Sequence, residues 1–232
     1  MIAVIGDIHG CYHTLKELYE KIKKNYPKAE IYSVGDLVDR GHYCLEAVEF
    51  IRDKEIKFTP GNHDLMFTHF FESPGSIFAR TWIHNDNGET LAAYEFETEK
   101  IWDHIRFINQ QPYWFNNEDA FISHAGFSSY FKKNLPFGYK KDLSIVGKII
   151  DKEIESEHGV MWNRDKLLDL GKLQVVGHTH NLEPIFDKKA NALYIDTGAF
   201  RGNKLSAAII EYSNIIEILS VDTVLKDIHK IR

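Results

Sequence analysis

Cysteine is nearly absent: Cys11 and Cys44 are the only two in 232 residues. No disulfide framework can be built from them, and a reducing, cytoplasmic setting is expected. Proline is scarce, at six, and scattered. No Pro/Gly/Ser-rich linker, low-complexity tract or internal repeat breaks the sequence, so a single domain over residues 1–232 is predicted. No apolar run approaches the ~18 residues a membrane span needs. The opening MIAVIGDIHG also lacks the basic start and small-residue cleavage site of a signal peptide. Positive charge is short as well: 28 Lys and Arg against 34 Asp and Glu give a net charge of −6. That argues against a nucleic-acid partner held by overall charge, while leaving room for a local basic pocket. Hydrophobic residues, at 44%, suffice for a sizeable core. Histidine is plentiful, at twelve.

The chain opens with strand and helix signals in alternation. Ile2–Ile5, Ile31–Val34 and Ile56–Thr59 read as strands; Tyr12–Lys24 and Tyr43–Arg52 carry apolar residues at helical spacing. This β-α-β-α-β start predicts an α/β sheet. His63 to Gln111 is aromatic-rich and reads as mostly helical. Tyr113–Phe115 and Ala120–Ser123 read as a hairpin, Lys141–Glu157 and Arg164–Leu170 as helices. Val175–Val176, Leu193–Ile195, Leu205–Ile210 and Ile215–Leu219 read as strands, so a β-rich half follows and two packed sheets are expected.

Five apolar runs end in Gly or a small residue and then metal-type side chains. They are IAVIG-Asp7-Ile8-His9, IYSVG-Asp36, FTPG-Asn62-His63, FIS-His124 and LQVVG-His178-Thr179-His180. Ligands in open α/β sheets bind beyond the carboxyl ends of strands. In extended chain, residues i and i+2 point the same way, so Asp7/His9 and His178/His180 could each aim two side chains into one site. A lone Asp after a strand is ordinarily a cap or turn residue, and a lone buried His is ordinarily core. Structural caps do not explain histidines at four of these five strand ends. Asp, Asn and His without Cys suit Mn, Fe, Zn, Co or Ni; all-oxygen Ca²⁺ or Mg²⁺ cages would not use this much imidazole. Seven ligands suit two ions sharing a carboxylate, an arrangement typical of phosphoester hydrolysis.

The motifs GDIHG (Gly6–Gly10), GDLVDRG (Gly35–Gly41) and GNHD (Gly61–Asp64) resemble the three signatures of the phosphoprotein phosphatase family of metallophosphoesterases. SHAG (Ser123–Gly126) and GHTH (Gly177–His180) match its later histidine motifs; WNRD (Trp162–Asp165) and YIDTGAFRGNKLSA (Tyr194–Ala207) look like segments of its small bacterial and phage members. The resemblance covers the chain to about Tyr212. It implies a four-layer α/β/β/α sandwich of two mixed sheets flanked by helices. It implies two divalent metals, with Mn²⁺ the leading choice, Asp7 and His9 on the first, Asp36 bridging, and Asn62, His124 and His178 on the second. His180 is expected to complete the first metal's shell. A metal-activated water would attack the phosphorus directly. His63 would serve as general acid, with Asp39 as its partner favouring the protonated ring. Arg40 and Arg164, with Asn62, would grip the phosphate, and Arg201 is a further, weaker contact.

Three features depart from the commoner pattern: Asp64 replaces Glu in GNHE, Ala125 stands within SHAG, and His180 follows His178. His13, His42, His69, His84, His104, His158 and His229 match no ligand motif and are read as surface or packing residues. Cys11 and Cys44 are read as packed thiols, although Cys11 lies near a helix start that could lower its pKa. The aromatic stretch His69–Tyr94 is read as core and a cap beside the site, with Trp82, His84 and Asn85 as guesses for substrate contacts. Lys132/Lys133 and Lys140/Lys141 are read as solvated pairs. The leading function is a phosphomonoesterase, such as a protein phosphatase, acting on a phosphorylated protein or small phosphoester. The alternative is a dinucleoside polyphosphate hydrolase of the diadenosine tetraphosphatase kind. A catalytically dead binding module should lack some of these residues, and none is missing.

Overall fold

A computed structural model describes residues 1–85 and 87–228. The first strand, β1 (Ile2–Ile5), is buried along its whole length because both of its faces are covered, which is why it reads IAVI rather than alternating. Ala3 and Ile5 face helices α1 (Tyr12–Asn25) and α2 (Cys44–Asp53); Ile2 and Val4 face the second sheet. In α1, Leu15, Leu18 and Ile22 recur at helical spacing and form its buried stripe.

The first sheet has the order β10-β9-β1-β2-β3, where β2 is Glu30–Ser33, β3 is Lys57–Phe58, β9 is Lys204–Glu211 and β10 is Asn214–Asp222. β1 runs parallel to β2 and antiparallel to β9. Ile5 pairs with Ser33, so these strands finish at one level and deliver their loops side by side. The second sheet has the order β4-β5-β6-β8-β7, with β4 Trp114–Asn116, β5 Phe121–Ser123, β6 Gln174–Val176, β7 Ile185–Asp187 and β8 Ala192–Tyr194. Val4, Val34, Ile122, Val175, Leu193 and Ala208 interdigitate between the sheets. Helices α3 (Asn62–Glu72), α4 (Ile77–Trp82), α5 (Gly88–Ala93) and α6 (Thr98–Asn109) occupy the aromatic stretch. Phe67, Phe70, Phe71, Trp82 and Tyr94 pack against one another there. Helix α7 (Ser144–Lys152) covers the second sheet through Val146 and Ile150. The result is the expected layering of two mixed sheets between helices.

The structure differs from the sequence reading in three places. Arg164–Leu170 is not helical. The Asn163 side-chain oxygen takes the Asp165 N–H at 3.0 Å and turns the chain, and Leu167 and Leu168 then bury into different clusters, which one helical face would not allow. The Lys141–Glu157 helix shrinks to α7, whose start Asp142 holds by accepting the Ser144 N–H at 2.9 Å. The short edge strand β7 was not anticipated; its Ile185 and Phe186 are exposed.

A turn near residue 227 ties the front of the molecule together. The buried Asp227 carboxylate accepts the backbone N–H groups of His13 and Thr14 and the Thr14 hydroxyl, at 3.1, 2.8 and 2.7 Å. Its carbonyl accepts the His42 N–H at 2.9 Å. One turn thus satisfies the open end of α1 and holds the loop that follows β2.

Candidate metal centre

Each predicted strand end converges on one site at the carboxyl edge of the two sheets. The loops after β1, β2 and β3 bring Asp7, His9, Asp36, Asn62 and His63; those after β5 and β6 bring His124 and His178. Two glycines allow the approach. A Cβ on Gly61 would lie 2.0 Å from the Asp36 carboxylate, and one on Gly177 would lie 1.8 Å from that of Asp7. His9, Asp36, Asp39, Arg40 and His178 all hold positive φ, from 46° to 74°. Such conformations strain residues with a Cβ and cluster at functional sites.

Two groups of ligand atoms each lie within 4.8 Å of one another: His9–Asp36–His63 and Asp7–Asp36–His124. Asp36 belongs to both. His9 Nδ1 donates to the Val38 carbonyl at 2.9 Å, and His124 Nδ1 to the Val34 carbonyl at 2.8 Å. A carbonyl can only accept, so the neutral rings present bare Nε2 lone pairs inward. His124 Nε2 stands 3.1 Å from Asn62 Oδ1 and 3.2 Å from His178 Nδ1, and that nitrogen is 2.9 Å from the same Asn62 oxygen. Lone pairs facing one another in a buried space call for a cation between them. A guanidinium already stands before the other group, with Arg40 2.6 Å from His9 Nε2 and 2.9 Å from His63 Nε2. The donor set therefore fits two cations sharing Asp36.

Electrostatics agree. Burial pushes Asp7 well up, and the neighbouring Asp196 and Asp36 carboxylates add to it. Burial opposes the charge on Asp36 too, but His124, His63, His9 and Arg40 overcome it and hold the carboxyl far below the usual range. Burial lowers His9, His124 and His178 and so favours the neutral imidazole, the form that binds metal.

His63 starts α3 beside Asn62. Its N–H reaches Asp36 at 2.9 Å, and its Nδ1 donates to Asp39 Oδ2 at 2.6 Å. Asp39 is fully buried and also accepts from Trp82 Nε1 at 2.8 Å and the Thr90 hydroxyl at 2.6 Å. Asp64 is buried, and one oxygen takes the Gly61 N–H at 2.9 Å while the other takes that of Leu37 at 2.8 Å. The short aspartate thereby joins the second and third loops. Arg40 and Arg164 both line a cleft of about 240 Å³ over Asp36, Asn62, His63 and His178. Arg164 is exposed.

His180 is set apart. It is exposed, its ring 6.4 Å from that of Phe200, and it belongs to neither group of ligand atoms. The alternation that would aim it beside His178 needs extended chain. His178 instead has φ +65°, and the Thr179 N–H bonds back to the Gly177 carbonyl at 2.7 Å.

The profile of calcineurin-like phosphoesterases matches residues 1–187. The chain belongs to that family. It is similar to serine/threonine-protein phosphatase 2 of Salmonella typhimurium, with 28% identity over 88% of this chain and 90% of the relative. It is also similar to an asymmetrical bis(5'-nucleosyl)-tetraphosphatase, PrpE, of Oceanobacillus iheyensis, with 24% identity over 94% and 92%. A Saccharomyces cerevisiae protein serine/threonine phosphatase shares the fold, with TM-score 0.56 and 17% identity over 96% of this chain and 80% of the other. The protein is a metallophosphoesterase, and its relatives include both phosphatases and dinucleoside tetraphosphatases.

Four residues of this phosphoesterase's site escaped the sequence reading. Asp196 had a signal, because the apolar run Leu193–Ile195 ends in a carboxylate as the five named runs end in ligands. It is buried, and raised to about 6 by burial and by Asp36. Trp82 was a guess for substrate; it is fully buried and serves Asp39 instead. Thr90 and Phe200 had no local signal. Asn85 lines the cleft, whereas His84 does not and is exposed. His104 is buried against the Tyr94 hydroxyl at 2.6 Å, a packing residue as expected, and His229 lies outside the described residues. Cys11 sits at a helix start, but burial pushes its thiol well up rather than down.

Proposed function

We propose that this phosphoesterase hydrolyses phosphomonoesters at a dinuclear site. Asp7, His9 and Asp36 would hold one ion and Asp36, Asn62, His124 and His178 the other, with His180 on the rim. The ions, when bound, supply an activated water and neutralise phosphoryl charge. Arg40 and Arg164 grip the phosphoryl oxygens from two sides of the cleft, with Asn62 beside them. Because Arg40 touches His63 Nε2, phosphate held by Arg40 is delivered next to that nitrogen, which passes a proton to the leaving oxygen. Asp39 keeps the ring aimed by holding Nδ1–H.

The observation that carries the reading is Asp36 standing in both ligand groups. Imidazole with carboxylate favours Mn²⁺ or Fe, Zn, Co or Ni over Mg²⁺ and Ca²⁺. A phosphorylated protein or small ester is the substrate this reading assigns, in the cytoplasm, with the whole chain acting as one unit. Among the described residues no helix is long and apolar enough to cross a membrane. Chelation should abolish hydrolysis of p-nitrophenyl phosphate and Mn²⁺ should restore it; full activity after verified metal removal would end the two-metal reading.

A further inference from the structure

Lysine and aromatic side chains concentrate on one loop that the hydrolytic site does not use. From Tyr130 to Lys141 the sequence reads YFKKNLPFGYKK: four lysines and no acid, in a chain whose net charge is −6. Two short 3₁₀ segments, Ser129–Asn134 and Tyr139–Lys141, flank the tip Pro136-Phe137-Gly138. Gly138, at φ +82°, turns the chain there, and a Cβ on it would meet no neighbour. Phe137 is fully exposed.

The stem of this loop is fixed. Phe131 and Leu143 are buried in the cluster that α7 covers, and Leu135 and Tyr139 pack against it. The Tyr139 hydroxyl donates to the Asp169 carbonyl at 2.8 Å, and the Ser129 N–H to the Lys166 carbonyl at 2.8 Å. Tyr130 stacks on His158, with ring centroids 3.8 Å apart. The apolar groups therefore divide: Phe131, Leu135 and Tyr139 serve the core, and Phe137 is left outside. Most of the charge is unpaired. Lys140 pairs with Asp169, and the Asp142 carboxylate takes the Ser144 N–H. Lys133 lies 4.9 Å from the Tyr130 ring. Lys132, Lys133 and Lys141 have no carboxylate within ion-pair distance among the described residues.

An apolar tip flanked by cations suits a surface that is anionic on top and apolar beneath. A free anion or an acidic peptide would match the lysines and leave Phe137 in water, whereas a lipid bilayer matches both. Lysine stems lie along such a boundary with their ammonium groups at the headgroups, and an aromatic ring is favoured within it.

We propose that the loop Tyr130–Lys141 docks this enzyme on anionic lipid membranes, with Phe137 entering the headgroup–acyl boundary and Lys132, Lys133 and Lys141 against acidic headgroups. The contact is peripheral, since among the described residues no helix is long and apolar enough to cross a membrane. One aromatic ring and three lysines make it weak and reversible. The negative balance of the rest of the chain turns its other faces away from the same surface. The inference stands apart from the hydrolytic reading and does not depend on it.

The test is co-sedimentation of the whole chain with vesicles of phosphatidylcholine alone and of phosphatidylcholine mixed equally with phosphatidylglycerol, at low and high salt. The wild type should bind the mixed vesicles at low salt, bind phosphatidylcholine far less, and be released as salt rises. Phe137→Ser should weaken binding about tenfold, and Lys132→Gln and Lys141→Gln roughly fivefold each. All three positions are exposed, so the thermal melts of these variants should match the wild type. Phe137→Trp should bind as the wild type does, and its added emission should shift to shorter wavelength on the mixed vesicles only. Equal binding to both kinds of vesicle, binding to neither, or binding that Phe137→Ser or the lysine variants leave untouched overturns the proposal. Retention on immobilised polyglutamate without vesicle binding also overturns it, and would assign the loop to an acidic protein instead.

Discussion

Replacing Asp39 by Asn separates charge from shape at the centre of the site. Oδ2 of Asp39 takes His63 Nδ1–H and Trp82 Nε1–H, and Oδ1 takes the Thr90 hydroxyl. The Thr90 oxygen also accepts the Asp39 N–H at 2.9 Å. An asparagine can put its oxygen where Oδ2 was and its NH₂ toward Thr90, whose hydroxyl turns to accept it. Every partner stays satisfied, and only the charge is lost. Hydrogen bonds to a charged group contribute about 1.5–3 kcal/mol and neutral ones about 0.5–1.5. The change at His63 is therefore about 1–2 kcal/mol, roughly 5–30-fold in kcat. Stability should move differently. Burial raises the Asp39 carboxyl against its three hydrogen bonds, so removing the buried charge offsets the weakened bonds. The unfolding free energy should stay within about 1 kcal/mol of wild type. The assay is steady-state kcat on an alkyl phosphate, with a urea titration alongside. A kcat within twofold of wild type would refute Asp39 as the electrostatic partner of His63, and a loss of stability matching the loss of rate would show a purely structural role.

Three further outcomes follow from the same geometry. His63→Asn should lower kcat about 10²–10⁴-fold on alkyl phosphates and less on aryl phosphates, whose leaving group needs little protonation; equal losses, or loss of metal by elemental analysis, would remove the general-acid role. Asp36→Asn should be the most damaging single ligand change, since it weakens both ion sites, and titration calorimetry with Mn²⁺ should show both binding steps weakened; two intact sites would contradict a shared carboxylate. In the metal-free protein the stability contributed by Asp196 and Asp64 should be lost as pH rises from about 4 to 7. These two carboxyls are raised to about 6 and about 7, so over that window they hold more protons in the folded chain than in the unfolded one, while the lowered His9, His124 and His178 act in the opposite direction. Mn²⁺ favours the ionised carboxylates, so its stabilisation should grow with pH; thermal melts at pH 5 and 7.5 that show a constant metal effect would contradict this.

The pattern of strand ends was legible because it is a property of short stretches: an apolar run, a glycine, a ligand. Asp7, Asp36, Asn62, His124 and His178 converge as that pattern implies. What stayed hidden depends on backbone detail or on distant packing. His180 lies away from the ligand groups because one residue, His178, leaves the extended region, and no composition or spacing rule reports a φ angle. Trp82 and Thr90 reach Asp39 from helices 43 and 51 positions further along the chain, and nothing local marks them. The false helix over Arg164–Leu170 arose because three leucines close together imitate a helical face. Asp196 followed the same strand-end grammar as its neighbours and was missed only because the run before it was read as structural.

The turn at Asp227 has a consequence for the order in which the molecule is made. Thr14 waits for a partner 213 positions later, and β1, the central strand of its sheet, waits for β9. During synthesis the first loop of the candidate metal centre is exposed early, yet its strand has a neighbour on one side only, β2, and its helix lacks its anchor until almost the whole described chain has been made. Pairings this distant in sequence slow folding and prolong the exposure of unpaired strand edges. A nascent chain stalled before residue 204 would carry all six proposed ligand side chains and still lack the rigid frame that sets their spacing, so tight binding of two ions should be a late event in biogenesis.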